Sequence, residues 1–275
     1  AQTAVNSLST HYGADGPESH VPAMYAIATG EGLGTYLAPQ DSCPSGTVGY
    51  PCFRDGAIPI VILITDAEFH NGPGDVQMYY GITPTPPTYS ETVTELNAIH
   101  AKVLPVYSTG GYGDVVNHCN SIASDTGAVD IYDNPLVYSI DSMGNGLDEE
   151  VVNAVDHIAH NSPLDISAEG RDDDTDLVDA TIFIDYITPH NEVTPVCTGG
   201  LVTDDIDDDT IDDVFIDVLP GTPVCFDIFP EMNTTVEPTD EPQVFMAFID
   251  VIGDYVTILD TREVYFLVPP ETPLE

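Results

Sequence analysis

The apolar positions divide the chain into two stretches with different periods. Up to about residue 162, runs at helical spacing alternate with continuous β-branched runs. A helix is expected over Val21–Thr29, and the strand IPIVILITDA over Ile58–Ala67. The polar segment from His70 to Ser90 is rich in Gly, Pro and Tyr, and is long enough to be a functional loop. A helix over Thr92–Ala101 then places Val93, Leu96 and Ile99 on one face. Strand Lys102–Ser108, a helix over Val115–Ser124 closed by Gly127, and strand Leu136–Ile140 follow. The last helix, Leu147–His160, carries Leu147, Val151, Val155 and Ile158 at helical spacing, with Glu149 and Glu150 in the dipole-favoured first turn. Such alternation predicts an α/β domain built on an open, mostly parallel sheet flanked by helices, Rossmann-like in layout.

After Asn161-Ser162-Pro163 the helical period disappears. Short strands are expected over Ala180–Ile187, Val214–Val218, Val224–Phe229, Val244–Val251, Val256–Leu259 and Val264–Val268. Turn signals such as Pro220-Gly221 and Gly253-Asp254 separate them. The pattern is that of a small antiparallel β-sandwich of the Ig-like kind, so the expected domains are 1–162 and 163–275. No apolar run approaches the ~20 residues that span a bilayer. The opening AQTAVNSL reads as mid-helix and carries no signal-peptide pattern, from which further polypeptide upstream is expected.

Charge changes this picture more than composition does. Asp and Glu number 47 against 4 Lys and Arg, a formal net charge of −43, although only 19% of residues are charged. Basic residues have been stripped out as much as acids added. Binding to phosphate backbones or anionic lipid releases counterions through Lys and Arg, so nucleic acid and membrane surfaces are excluded as partners. Self-repulsion of this size calls for high salt, bound cations or both. A halophilic, solvated surface accounts for most of the charge in this reading.

Five cysteines occur, with no Cys-x-x-Cys pair, which removes zinc-ribbon and thioredoxin readings. Cys43 and Cys52 flank a short Pro/Gly-rich stretch and suit a loop staple; Cys197 and Cys225 flank an acidic segment and suit a second. Cys119 is left over, either buried in a helix or paired outside this chain. Disulfides imply an oxidising compartment, hence a secreted or cell-surface protein.

Two acidic signals stand above the background. Asp66 ends the first hydrophobic strand, and ligands of open parallel sheets bind beyond the carboxyl ends of strands. Asp15-Gly16-Pro17-Glu18 precedes the first helix and offers two carboxylates on a loop stiffened by proline, suited to Mg²⁺ or Ca²⁺ or to capping that helix. The Asp-x-Pro-Glu pattern, followed by a β-branched strand ending Thr65-Asp66-Ala67 and then His70, resembles the von Willebrand factor A (VWA) family, in particular the integrin β I-like domain. The resemblance spans about residues 1–162 and extends to secreted bacterial proteins carrying that domain. It implies a metal-ion-dependent adhesion site with Glu18 on the ion and Asp66 direct or through water, and Asp15 with the Pro17 carbonyl at a neighbouring cation. The partner so implied is a protein offering an acidic side chain. The family's Asp-x-Ser-x-Ser strand is missing here, and Gly13 replaces an expected Asn.

In the second domain, Asp205, Asp207, Asp209 and Asp213 fall at positions 1, 3, 5 and 9 of a calcium-loop pattern, with Thr210 where that loop wants Gly. Arg171-Asp172-Asp173-Asp174 reads as a charged linker. Catalytic patterns are lacking: no Gly-x-Ser-x-Gly, no His-Glu-x-x-His and no phosphate-cradling glycine loop. His70, expected beside Asp66, is the one histidine placed to activate a metal-bound water. The expectation is therefore a non-enzymatic, metal-dependent adhesion or protein-binding module, with a Ca²⁺-stabilised, self-associating surface or filament protein as the alternative.

Overall fold

The computed structural model describes residues 15–173, 175 and 177–271. The opening AQTAVNSL, Gly13 and Asp174 lie outside these residues. The chain divides into two compact units, the first reaching His157 and the second beginning at Ile158 and taking in Gly56–Ile58.

The first unit is a parallel sheet of β1 (Ile60–Ala67), β2 (Lys102–Tyr112) and β3 (Tyr138–Ile140), in that order. The crossovers carry α2 (Tyr89–Ala98) and α3 (Val115–Asp125); α1 (His20–Thr29) precedes β1 and α4 (Leu147–His160) follows β3. Parallel neighbours need such crossovers, which is why the helical and β-branched runs alternate. Gly30 stops α1 in the left-handed region at φ 76°, its N–H returning to the Ala26 carbonyl at 2.8 Å. Thr88 and Glu91 form a reciprocal capping box that starts α2 three residues earlier than its apolar face suggests. The core joins Val21 and Met24 of α1, Leu96 of α2, Val103 of β2 and Cys119 and Ile122 of α3, all at most 1% exposed. Cys119 is a free thiol, and burial pushes its pKa up to about 12, so it serves as packing.

The second unit is antiparallel. A five-stranded sheet runs β10-β9-β4-β7-β6 and a two-stranded one β5-β8. Their spans are β4 Leu164–Asp172, β5 Ile184–Pro189, β6 Val202–Asp204, β7 Val214–Val218, β8 Phe226–Pro230, β9 Gln243–Gly253 and β10 Thr257–Val268. Phe226 of β8 meets Phe215 of β7 edge-on, with ring centres 5.4 Å apart. The supposed charged linker at Arg171-Asp172 is a correction: both residues belong to β4, which pairs with β9 on one side and β7 on the other. The expected strands at 256–259 and 264–268 are one strand, continuous through Asp260–Glu263 with an irregularity at Ile258/Asp260. Residues 180–183 form a 3-10 turn before β5 rather than strand.

Both expected cysteine pairs are bonded, Cys43 to Cys52 and Cys197 to Cys225. They fit an extracellular protein. Among the described residues no helix is long and apolar enough to cross a membrane.

Candidate functional site

The carboxyl end of β1 collects the first group of candidates. Glu18 N donates to Glu68 O and His70 N to Glu18 O, each at 2.9 Å, so the Asp15–Glu18 loop lies alongside the continuation of β1 as a parallel bridge to Phe69. The β1–β2 register slips between Thr65 and Ala67, leaving Asp66 at the irregularity. Gly111 of β2 passes so close there that a Cβ would collide with the Asp66 carbonyl. Asp66 and Glu18, both exposed, line one hollow of about 440 Å³ with His20. Glu18 and Asp15 line another of about 460 Å³ with His70 and Tyr79.

His70 pairs with Asp15, its Nε2 3.0 Å from Oδ2, rather than with Asp66 as the sequence suggests. Its Nδ1 lies 2.7 Å from the Gln77 carbonyl and its ring stacks on Tyr79 at 4.2 Å. Glu18 is common to both hollows, Asp66 lines one and Asp15 the other, and among the described residues the three do not bring ligand oxygens within 4.8 Å of one another.

Sequence reasoning missed Glu68, which is only 7% exposed. Its carboxylate accepts from Gln77 Nε2 at 2.8 Å and from the N–H of Asp114 at 3.0 Å. Asp114 sits at the N-cap position of α3 without a side-chain capping bond, so the Glu68 charge meets the positive end of a helix. Nearby, His118 Nδ1 accepts from the N–H of Phe69 at 2.9 Å, which fixes its hydrogen on Nε2. Desolvation holds the His118 pKa below the ordinary histidine value, outweighing Glu68 and Asp114. Asn71 links the same loop to Pro87 O and Tyr79 N at 2.8 and 3.0 Å. The long loop is thereby held in shape by buried polar bonds.

The second group lies in the acidic loop between β6 and β7. Asp205, Asp207 and Asp209 each place a carboxylate oxygen within 4.8 Å of the others. Asp205 accepts from the N–H groups of Asp209 and Thr210 at 3.1 and 2.7 Å, and Asp213 from Ile206 N at 3.0 Å. Thr210 adopts φ 81°, the conformation for which a loop of this kind prefers glycine, so the substitution strains the turn without preventing it. Asp207 has its pKa raised, by desolvation first and then by the carboxylates of Asp209, Asp213 and Asp205. The residue seven beyond Asp209, where a twelve-residue calcium loop carries its bidentate acid, is Ile216. The donor set is hard oxygen throughout and suits Ca²⁺ better than a transition metal.

No known family profile matches the chain, and no curated protein does. Among solved structures it is similar to a von Willebrand factor type A protein from Catenulispora acidiphila, at 11% identity and a TM-score of 0.31. That match covers 77% of this chain and 42% of the other, so the chain spans less than half the length of that protein.

Proposed function

We propose that the chain is a non-enzymatic, extracytoplasmic protein-binding module whose second unit, an Ig-like sandwich, is stiffened by Ca²⁺ held between Asp205, Asp207 and Asp209. The convergence of those carboxylates carries the reading. Calcium loops of extracellular modules bind at about 10⁻⁴–10⁻³ M, and lack of an acid at Ile216 points to that weak range. At about 10 mM Ca²⁺ the ion then stabilises the fold by about 1.4–2.7 kcal/mol.

Asp207→Asn gives a sign-specific check. A carboxyl whose folded pKa is raised destabilises the fold once pH exceeds that value. In EDTA at pH 7 the Asn variant is expected to melt above the parent, and in Ca²⁺ below it because a ligand is lost. A melting temperature that ignores Ca²⁺ in the parent would sink the calcium loop.

The adhesion form of this reading rests on Glu18 and Asp66 facing one hollow at the end of β1. There an ion would be completed by a partner's acidic side chain. In a chain already carrying Asp207→Asn and Asp209→Asn, calorimetric titration is expected to show one weak Mg²⁺ site that Glu18→Ala abolishes. Heat that survives that change would remove the adhesion reading and leave the stabilised surface protein. The net charge of −43 favours that second reading, in which cations bridge acidic faces of neighbouring copies.

A further inference from the structure

Three hollows of the first unit share walls. The one beside Asp15 and Glu18 has Ser19, Tyr79 and Ile82 in common with a middle hollow of about 300 Å³. The middle one shares Pro22, Leu33 and Pro86 with a third, of about 390 Å³, that is edged by Glu31 and Glu91. The three hollows therefore adjoin in a row, a trough whose outer members carry carboxylates and whose middle member is lined mostly by apolar residues. Tyr36, on the middle stretch, is 63% exposed.

We propose that this trough docks an extended segment of a protein partner in which apolar residues are flanked by Lys or Arg. The choice of occupant follows from charge. A ligand lying along the floor brings its ends against Asp15 and Glu18 on one side and Glu31 and Glu91 on the other, so both ends must be cationic. Tyr25 stands in the third hollow with its hydroxyl on Glu31 at 3.2 Å, and Tyr80 is in the first, so aromatic faces are at hand for those cations. A second copy of this chain is a poor occupant, having 4 basic residues in 275. Tyrosines and prolines lining a groove also suit an extended backbone, which buries side chains without giving up internal hydrogen bonds. The trough needs no metal ion and takes a basic partner, so it goes beyond the cation-dependent reading above.

The test measures fluorescence anisotropy of three labelled heptapeptides with the full chain, in EDTA and about 150 mM NaCl, where surface charge is screened beyond ~8 Å. The peptides are Lys-Lys-Leu-Pro-Leu-Lys-Lys, the same with Gly-Ser-Gly at its centre, and the first with every Lys replaced by Glu. The first is expected to bind about tenfold or more tighter than either control. Tyr36→Ser is expected to weaken it about fivefold and Glu31→Gln about threefold, in line with an interface anchor and a rim charge. Both positions are exposed, and the melting temperature of each variant verifies that its fold is intact. Equal affinity for the Leu-Pro-Leu and Gly-Ser-Gly peptides, or affinity unchanged by Tyr36→Ser, would show mere attraction of cations to an acidic chain and overturn the proposal. So would absence of binding to all three. Affinity that persists in EDTA while the calcium effects fail would separate this site from the cation reading.

Discussion

Replacing Cys197 and Cys225 together by Ser is expected to destabilise the second unit by about 3.5 kcal/mol, from the loop entropy that a bridge across 28 residues removes from the unfolded chain. The closed loop contains β6, β7 and the whole Asp205–Asp213 run. In the reduced chain that run is free to expand under its own repulsion, which adds to the unfolded state's advantage at low salt. The Cys43–Cys52 bridge closes a span of only 9 and by the same relation contributes about 2.5 kcal/mol. Guanidinium unfolding of each double-Ser variant measures this. If the Cys197/Cys225 variant loses less than the Cys43/Cys52 variant, chain entropy is not what the longer bridge supplies.

The second large effect is expected at Arg171. Its Nε lies 2.6 Å from Asp250 Oδ2 and its Nη2 3.2 Å from Oδ1, while Thr261 donates to Oδ1 at 2.6 Å. The guanidinium also stands 4.7 Å over the ring of Phe248. Asp250 is 6% exposed at the side chain, whereas Arg171 is 53% exposed. Arg171→Met leaves a buried carboxylate with Thr261 alone, at a cost of about 3 kcal/mol at pH 7, the low end of the range because solvent already screens the arginine. The Arg171 hydrogen bonds hold the Asp250 pKa below the ordinary carboxylate value, against desolvation. A depressed folded pKa supplies stability above the unfolded carboxylate value, and that stability is lost as pH falls through the folded one. The gap between parent and variant is therefore expected to narrow below about pH 4. Arg171→Met combined with Asp250→Leu is expected to recover most of the loss, since no charge is then stranded. A double variant as unstable as the single one would refute the stranded-charge account.

The same pair explains why β4 was illegible as sequence. Leu164–Asp172 reads DISAEGRD after its first residue, with a glycine and four charged positions, and nothing local marks it as central in a sheet. Its Arg171 is neutralised by a residue 79 positions away, and Gly170 is needed where a Cβ would crowd Ile184. In β10, Thr261 looks like a turn residue until its hydroxyl is seen on Asp250. By contrast β1, α3, α4 and β7 lie within a few residues of their apolar patterns, because each buries a face that its own periodicity defines. The site divides the same way. The Asp205–Asp209 cluster was legible because its geometry is made within five residues. Glu68 was not, since what sets it apart from Asp66 is Asp114, 46 residues on. The pairing of His70 with Asp15 spans 55 residues, and proximity in sequence pointed to Asp66 instead.

Scarcity of basic residues also determines how the folded chain meets a trypsin-like protease, which cuts only after Lys or Arg. Lys102 begins β2, Arg171 lies within β4 paired with Phe248 of β9, and Arg262 is paired along β9. An extended cut site must leave its sheet to enter a protease cleft, so these strands are protected while the fold holds. Arg54, exposed just past the Val48–Phe53 bridge, is the remaining site. Native digestion should nick the chain between Arg54 and Asp55, and since Cys43–Cys52 lies wholly on one side of the cut, reduction is not needed to release the fragment in denaturant.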